Sequence, residues 1–334
     1  MTRLKRLLTA PARAAVRGLL ATSPEAFYLL RGAASFLPGY EHSPSEMTTE
    51  RASYFYSVWL RHLSLASLRV EGFEHPKVVA ELGPGSAIGA GLAALISGAE
   101  TYHAFDVVRY ADPARNLAIF EELVDLFRAR TPIPGPGEFP DVRPPLSDYS
   151  FPHQVLSEEH LTRALAPERI DAIRAALLGQ ASTFQIRYVV PWQGADELEA
   201  ETVDFVYSQA VLEHVDDVPG AYSALYAWLR PGGIGSHQID LQSHELTRDW
   251  NGHYGLPRLA WRVMRGRRPW LLNRIPPSGH LDALRAAGFE IVASDRTLGP
   301  PGLPRWRLAP SFRDLSDEDL ETDGLFVQVR RPAT

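Results

Sequence analysis

Between Val78 and Asp106 the chain spells V-V-A-E-L-G-P-G-S-A-I-G, then a segment rich in small residues, then T-Y-H-A-F-D. The apolar run Val78, Val79, Ala80 and Leu82 ends at Gly83 and Gly85, and a helix-compatible stretch follows from Ala87 to Ile96. A second short apolar run stops at an acid, Asp106. The order is strand, tight turn, helix, strand. Glycines at such a turn let backbone N–H groups approach a ligand closely, and an acid at the next strand's tip can accept hydrogen bonds from ribose hydroxyls. The pattern predicts a nucleoside-binding half-site.

Two cofactor classes use a half-site of this kind, and dinucleotides are one of them. Here the third glycine of G-x-G-x-x-G is replaced by Ile88. Glu81 stands two residues before the first glycine, where a carboxylate can meet a cationic amine. E-L-G-P-G-S together with Asp106 resembles motif I and the following acid of class I S-adenosylmethionine-dependent methyltransferases, although Ala87 replaces the last glycine of that family's commoner motif. A second block strengthens the likeness. Val203 to Ser208 reads as a buried strand, Gln209 to Asp217 follows, and a helix runs through Tyr222 to Leu229. Arg230-Pro231-Gly232-Gly233 reads as a turn, and Ile234 to Leu241 as the next strand. D-F-V-Y-S-Q-A-V-L-E-H-V followed by L-R-P-G-G is similar to the strand-four and strand-five signatures of the same class. The resemblance covers about residues 76–106 and 183–330. It implies an α/β, Rossmann-like sheet of seven strands, with strand seven antiparallel between strands five and six. Helix 281–287, Gly288, and strands at 289–292 and 325–329 fit that ending.

The resemblance also implies S-adenosyl-L-methionine as cofactor and gives positions for it. Gly83, Gly85 and the adjoining Ser86 form the turn, and Glu81 faces the methionine amine. Asp106 with Val107 takes the ribose, while Ser208 and Gln209 flank the methionine end. Many members carry an acid after strand three that reads adenine. Val190-Pro191-Trp192-Gln193 stands there instead, leaving backbone, Trp192 stacking or Gln193 for that contact.

An activated methyl group leaves the protein mainly the task of alignment, but a hydroxyl acceptor must also lose a proton. The candidates for that step lie near the ends of strands four and five: His214, Asp240 and His244. His214, in L-E-H-V, reads equally as a structural residue. His237 and Ile239 alternate with Gln238 and Asp240, so the four cannot share one face. I-D-L-Q-S-H is similar to a motif of methyltransferases associated with glycan assembly. His153 and His160 are weaker candidates. Asp240 and His244 are also potential ligands of a divalent metal, but no third ligand is visible, and no metal is assigned.

Composition narrows the class. Of 334 residues, 45% are apolar and 22% charged, which places the chain among globular proteins. A formal charge of −6 argues against nucleic acid as a partner, which needs a basic footprint. The absence of cysteine removes disulfides, thiolate metal sites and cysteine nucleophiles. No apolar run approaches the ~20 residues of a membrane span, so the expected compartment is the cytoplasm. Arg3, Lys5, Arg6, Arg13 and Arg17 interleave with leucines before the first acid, Glu25. This basic amphipathic segment reads either as a surface helix or as a peripheral contact with an anionic membrane. Arg13 and Arg17 interrupt the apolar core of any signal peptide.

Along the chain, residues 1–72 read as an N-terminal helical cap and 73–334 as the catalytic domain. Tyr54, Tyr56 and Trp59 lie in the apolar-periodic stretch 53–68, either as core or as a roof over the cofactor. An insertion at about 109–182 carries helical patterns at 116–129, 157–165 and 167–178, with a proline-rich piece at 131–145. Its length suggests a cap or substrate-contacting element. At 244–280, Trp250, Tyr254, Trp261 and Trp270 mix with arginines, as a platform for sugar rings or as an amphipathic lid.

The expected function is methylation of a hydroxyl on a sugar, glycan or related small metabolite. The alternative is an NAD(P)-dependent oxidoreductase or epimerase on the same half-site. It lacks a Tyr-x-x-x-Lys pair, since the only lysines are Lys5 and Lys77. A non-catalytic binding protein would have no need of Glu81, Gly83, Gly85 and Asp106 together.

Overall fold

The computed structural model describes residue 18 and residues 23–40, 51–109, 111–268 and 271–333. The basic positions Arg3 to Arg17 and Trp270 lie outside the described residues. Among the described residues, α1 (Pro24–Ala34) and α2 (Ala52–Arg69) come before the sheet. Then follow β1 (Val78–Leu82), α3 (Gly89–Ser97), β2 (Thr101–Phe105), α4 (Pro113–Arg128), α5 (Glu158–Ala164), α6 (Pro167–Leu177) and β3 (Gln185–Val189). The second half contains β4 (Val203–Gln209), α7 (Val218–Trp228), β5 (Leu229–Asp240), α8 (Arg258–Arg265), α9 (Pro277–Ala286), β6 (Glu290–Leu298) and β7 (Thr322–Arg330).

The seven strands form one sheet in the order β3-β2-β1-β4-β5-β7-β6. The first five are parallel, and β7 runs antiparallel between β5 and β6. This is the expected seven-stranded α/β arrangement. Parallel strands need crossovers that cover both faces of the sheet, and the core divides accordingly. On one face α2, α3 and α4 pack with Val79, Tyr102, Phe205 and Tyr207. On the other, Tyr222, Leu225 and Trp228 of α7 meet Ala80, Leu82 and Phe105. All nine residues of α3 are buried, as expected for a helix that is apolar all round.

Helix α2 sits on the N-terminal side of the boundary drawn at residue 72, yet Phe55, Trp59, Leu60 and Leu63 share the cluster of Val79 and Tyr102. Tyr56 and Trp59 are fully buried, and the Trp59 indole N–H donates to Ser97 Oγ at 2.8 Å. These two rings are core, not a roof over the cofactor. The insertion is tied to the same helix. Ser57 Oγ donates to Pro134 O at 2.9 Å, and the buried Arg61 guanidinium donates to Pro144 O at 2.5 Å.

Two sequence readings change. The segment Arg230–Gly233 belongs to an extended β5, lying between the pairs Val203↔Leu229 and Phe205↔Ile234 where the register shifts. Tyr254 and Trp261 are buried in small satellite clusters, so they support the segment after β5 and offer no ring face to a sugar. Among the described residues no helix is long and apolar enough to cross a membrane.

Candidate active site

In an open parallel sheet, ligands bind beyond the carboxyl ends of the strands where the strand order reverses. Here chain order runs outward from β1 to β3 on one side and from β4 to β5 on the other, so the crevice opens between β1 and β4. A cavity of about 230 Å³ lies elsewhere, at the amino-terminal ends of the strands, lined by Phe73, Asp204, Arg230 and Arg330. Its position makes it a poor candidate for this chemistry.

The turn after β1 occupies the crevice. Gly83 and Gly85 have φ values of +66° and +72°, which residues with a side chain rarely adopt. A Cβ on Gly83 would lie 2.4 Å from Val211 Cγ2, so the turn is pressed against the chain leaving β4. Around Gly85 nothing lies within 4 Å of such an atom, leaving space for a ligand against its backbone. The Ile88 N–H donates to Asn116 Oδ1 at 3.1 Å, which fixes the far side of the turn.

Asp106 ends β2 beside this turn. Its Oδ1 accepts the Val107 N–H at 2.7 Å, and the Gly85 amide also favours its charge. Burial outweighs these amides and raises its pKa. Glu81 is 5% exposed and receives the Tyr102 hydroxyl. Burial pushes its carboxyl up to about 7, against the hydrogen bonds of Tyr102 and Tyr207. A buried acid with so high a pKa is poised to lose its proton when a cation arrives. At the exit of β3, the Trp192 N–H donates to Asp106 O at 2.8 Å, and its indole N–H donates to Gly194 O at 3.0 Å. The half-buried indole ring lies 6.4 Å from that of Phe105, the residue before Asp106, and 5.9 Å from that of Trp228. Open space over Gly85, a carboxylate at the end of β2 and a protonatable acid behind the turn fit a cationic nucleoside such as S-adenosylmethionine.

Ser208 and Gln209 are held differently from the reading of the sequence. Ser208 Oγ is fully buried and 2.9 Å from His237 Nδ1, so only its backbone can face a ligand. Gln209 Oε1 lies 3.2 Å from His62 Nε2, and its amide nitrogen donates to Arg143 O at 3.1 Å.

One strand further over, the exits of β4 and β5 bring a second group together. His244 Nε2 is 3.1 Å from Asp240 Oδ2, and the His214 and His244 rings lie 5.1 Å apart. His214 sits on a single turn, Leu212–His214, pinned by Asn273, whose side-chain amide donates to Leu212 O and Val215 O. The same turn delivers Glu213, which is 3% exposed. Burial, with Asp240 nearby, raises the Glu213 carboxyl well above its ordinary value. Burial alone would also raise Asp240, but hydrogen bonding to His244 and Gln242, with the charges of His244 and Arg143, holds it low. Ala210, His244 and Glu245 all have positive φ at these strand ends. Left-handed backbone costs an L-residue on the order of 1–2 kcal/mol, and such strain gathers at functional sites.

The structure thus brings the sequence candidates His214, Asp240 and His244 together, and adds Glu213, His253 and Arg143, which the sequence did not single out. The buried His253, its pKa lowered to about 3 by burial, lies close enough to feel the charges of His244 and Asp240. Arg143 comes from the insertion and forms a bidentate pair with Asp323 at 2.6 and 3.1 Å. Its position within the proline-rich piece was the only signal available. His153 and His160 lie away from this group: His160 bonds Ser97 O at 2.6 Å, and His153 sits 3.6 Å from Glu158.

A sequence profile described as "Methyltransferase domain" matches residues 52–294. Arabidopsis thaliana phosphoethanolamine N-methyltransferase 3 is 29% identical over 102 residues, spanning 30% of this chain and only 18% of that protein. Among solved structures, an S-adenosylmethionine dependent methyltransferase from Mesorhizobium loti is 17% identical, with 82% of this chain and 98% of that chain covered and a TM-score of 0.39. A Haemonchus contortus phosphoethanolamine N-methyltransferase 2 in complex with phosphomonomethylethanolamine and S-adenosylhomocysteine is 14% identical, covering 86% of this chain and 59% of that chain, with a TM-score of 0.38. Scores this low carry no weight beside the profile. The profile spans both the glycine turn and the exits of β4 and β5, and it leaves no place for the nicotinamide alternative. The chain therefore belongs to the methyltransferase-domain family.

Proposed function

We propose that the chain methylates a hydroxyl on a sugar, a glycan or a related small metabolite, with His244 and Asp240 handling the acceptor's proton. The observation that carries this reading is the 3.1 Å contact between His244 Nε2 and Asp240 Oδ2, half-exposed at the exit of β5. Bound S-adenosylmethionine supplies a methyl group already activated on a sulfonium. A hydroxyl must then lose its proton as the methyl arrives, whereas an unprotonated amine attacks without that help. A histidine backed by a carboxylate suits the first task. Asp240 orients the imidazole and stabilises its charge once the proton has moved. His214 is the second candidate for this step, its ring 5.1 Å from that of His244.

On the cofactor side, Gly83, Gly85 and Ser86 give backbone contact, Asp106 with Val107 takes the ribose, and Trp192 lies beside the base. Glu81 takes the methionine amine, with Gln209 and the Ser208 backbone at that end. Arg143 and the rest of the insertion border the acceptor side.

The test is transfer of labelled methyl from S-adenosylmethionine to a panel of free sugars, glycosides and small hydroxylated metabolites, with phosphoethanolamine in the same panel. The similarity to an N-methyltransferase makes that comparison the informative one. Label in an ether of a hydroxylated acceptor supports the reading. Label on the amine alone ends it.

A further inference from the structure

We infer that Glu213, His214 and His244 form a divalent-cation site, with Asp240 braced behind His244. Each of the three residues offers a ligand atom, and these atoms lie within 4.8 Å of one another. Two imidazoles and one carboxylate make a ligand set suited to zinc and neighbouring first-row ions, with a coordination position left for water or substrate. Ligands on a tetrahedral zinc sit about 3.4 Å apart, given bond lengths of about 2.1 Å. Modest side-chain rotation would close the present spacing around an ion.

A second, independent observation points to a cation. Both Glu213 carboxylate oxygens are buried and make no hydrogen bond of good geometry, although backbone of Glu213 and Asp240 lies near them. Native proteins rarely leave a buried carboxylate in this condition, and a bound ion or a functional role is the usual reason. A cation is the partner that would answer both oxygens. The chain also invests in aiming this group, since Asn273 holds the Leu212–His214 turn through three contacts, its own N–H bonding Glu213 O at 2.8 Å.

Asp240 has a defined place in either geometry. If His244 ligates through Nδ1, Asp240 holds the opposite nitrogen, the outer-shell arrangement typical of metal-bound histidine. If Nε2 ligates, Asp240 lies close enough to become a fourth ligand. With the ion bound, His244 acts as ligand in place of base: the open coordination position would bind the acceptor oxygen and lower its pKa, so that the proton leaves to solvent. That role rests on the acceptor reading above; cation binding does not.

The full-length protein, dialysed against a chelator, would be titrated with Zn²⁺ in a calorimeter and with Co²⁺ by visible absorption. The expected result is one Zn²⁺ per chain and cobalt bands typical of a low-coordinate site. Glu213→Gln and His244→Ala should each weaken binding at least about 10-fold, a loss seen even for outer-shell changes at metal sites. S-adenosylhomocysteine affinity in the same samples should stay within about twofold, which establishes that the variants fold. Absence of saturable Zn²⁺ binding, or equal binding by both variants, overturns the site. Hydroxyl methylation at full rate by metal-free protein overturns its role in activation. Cation binding without methylation of any hydroxyl retains the site and instead removes the acceptor reading.

Discussion

The two ends of the crevice are built in different ways. Around β1 and β2 the site is one contiguous stretch, in which Glu81, Gly83, Gly85 and Asp106 span 26 residues and the parallel pair Leu82↔Phe105 sets their spacing. Around β4 and β5 it is assembled from distant segments: Glu213 and His214, Asp240 and His244, and Arg143 from the insertion. The first end is backbone-rich, with open space over Gly85. The second is a cluster of ionisable side chains on strained loops. Backbone contacts suit a cofactor that is the same in every turnover. A cluster of side chains can be changed without disturbing the sheet, which suits an acceptor that differs between enzymes.

The division predicts separable defects. His244→Ala should lower kcat about 10²- to 10⁴-fold, the usual range for a general base, with S-adenosylhomocysteine affinity within about twofold. Steady-state kinetics beside calorimetry checks both halves, and a comparable loss of cofactor affinity would erase the distinction. Asp106→Ala should do the reverse. Losing charge-assisted hydrogen bonds worth about 1.5–3 kcal/mol weakens cofactor binding by about 10- to 100-fold. Saturating cofactor should then restore most of kcat.

The smallest effect is a pH dependence centred on Glu81. Its carboxyl sits at about 7 in the folded chain, against an ordinary value of 4.5. Between those values the folded state holds a proton that the unfolded state has lost, so this residue's contribution to stability falls as pH rises through that window. A bound amine would reverse the preference and expel the proton. Cofactor affinity should therefore rise up to about 10-fold from pH 6 to 8. Glu81→Gln should flatten that profile and lessen the loss of stability from pH 4.5 to 7. An unchanged profile would detach Glu81 from the methionine amine.

Much of the fold was legible because it repeats a simple rule. Short apolar runs, each followed by a helical period, predict a parallel α/β sheet, and the helices at 113–128, 158–164 and 167–177 lie where the insertion was read to be helical. The misread parts share a cause. Arg230–Gly233 looks like a free turn, yet it lies inside β5, because Leu229 and Ile234 on either side of it both pair with β4. Tyr254 and Trp261 look like a binding platform because local sequence does not say which other elements cover them. Leu303 and Leu308 bury Tyr254, while Leu246, Met264 and Leu272 bury Trp261.

By itself, the order of residues determined the glycine turn and the strands beside it, because that information is local. Turn geometry needs glycine, strand alternation needs apolar residues, and both are read within a few positions. Only the folded chain decided that Glu213 would lie buried near His244 and that Arg143 would reach the acid at the end of β5. Those meetings depend on the register of β4 against β5 and on where a long insertion lands. Both are settled by burial summed over the whole core, and no short stretch of sequence carries that sum.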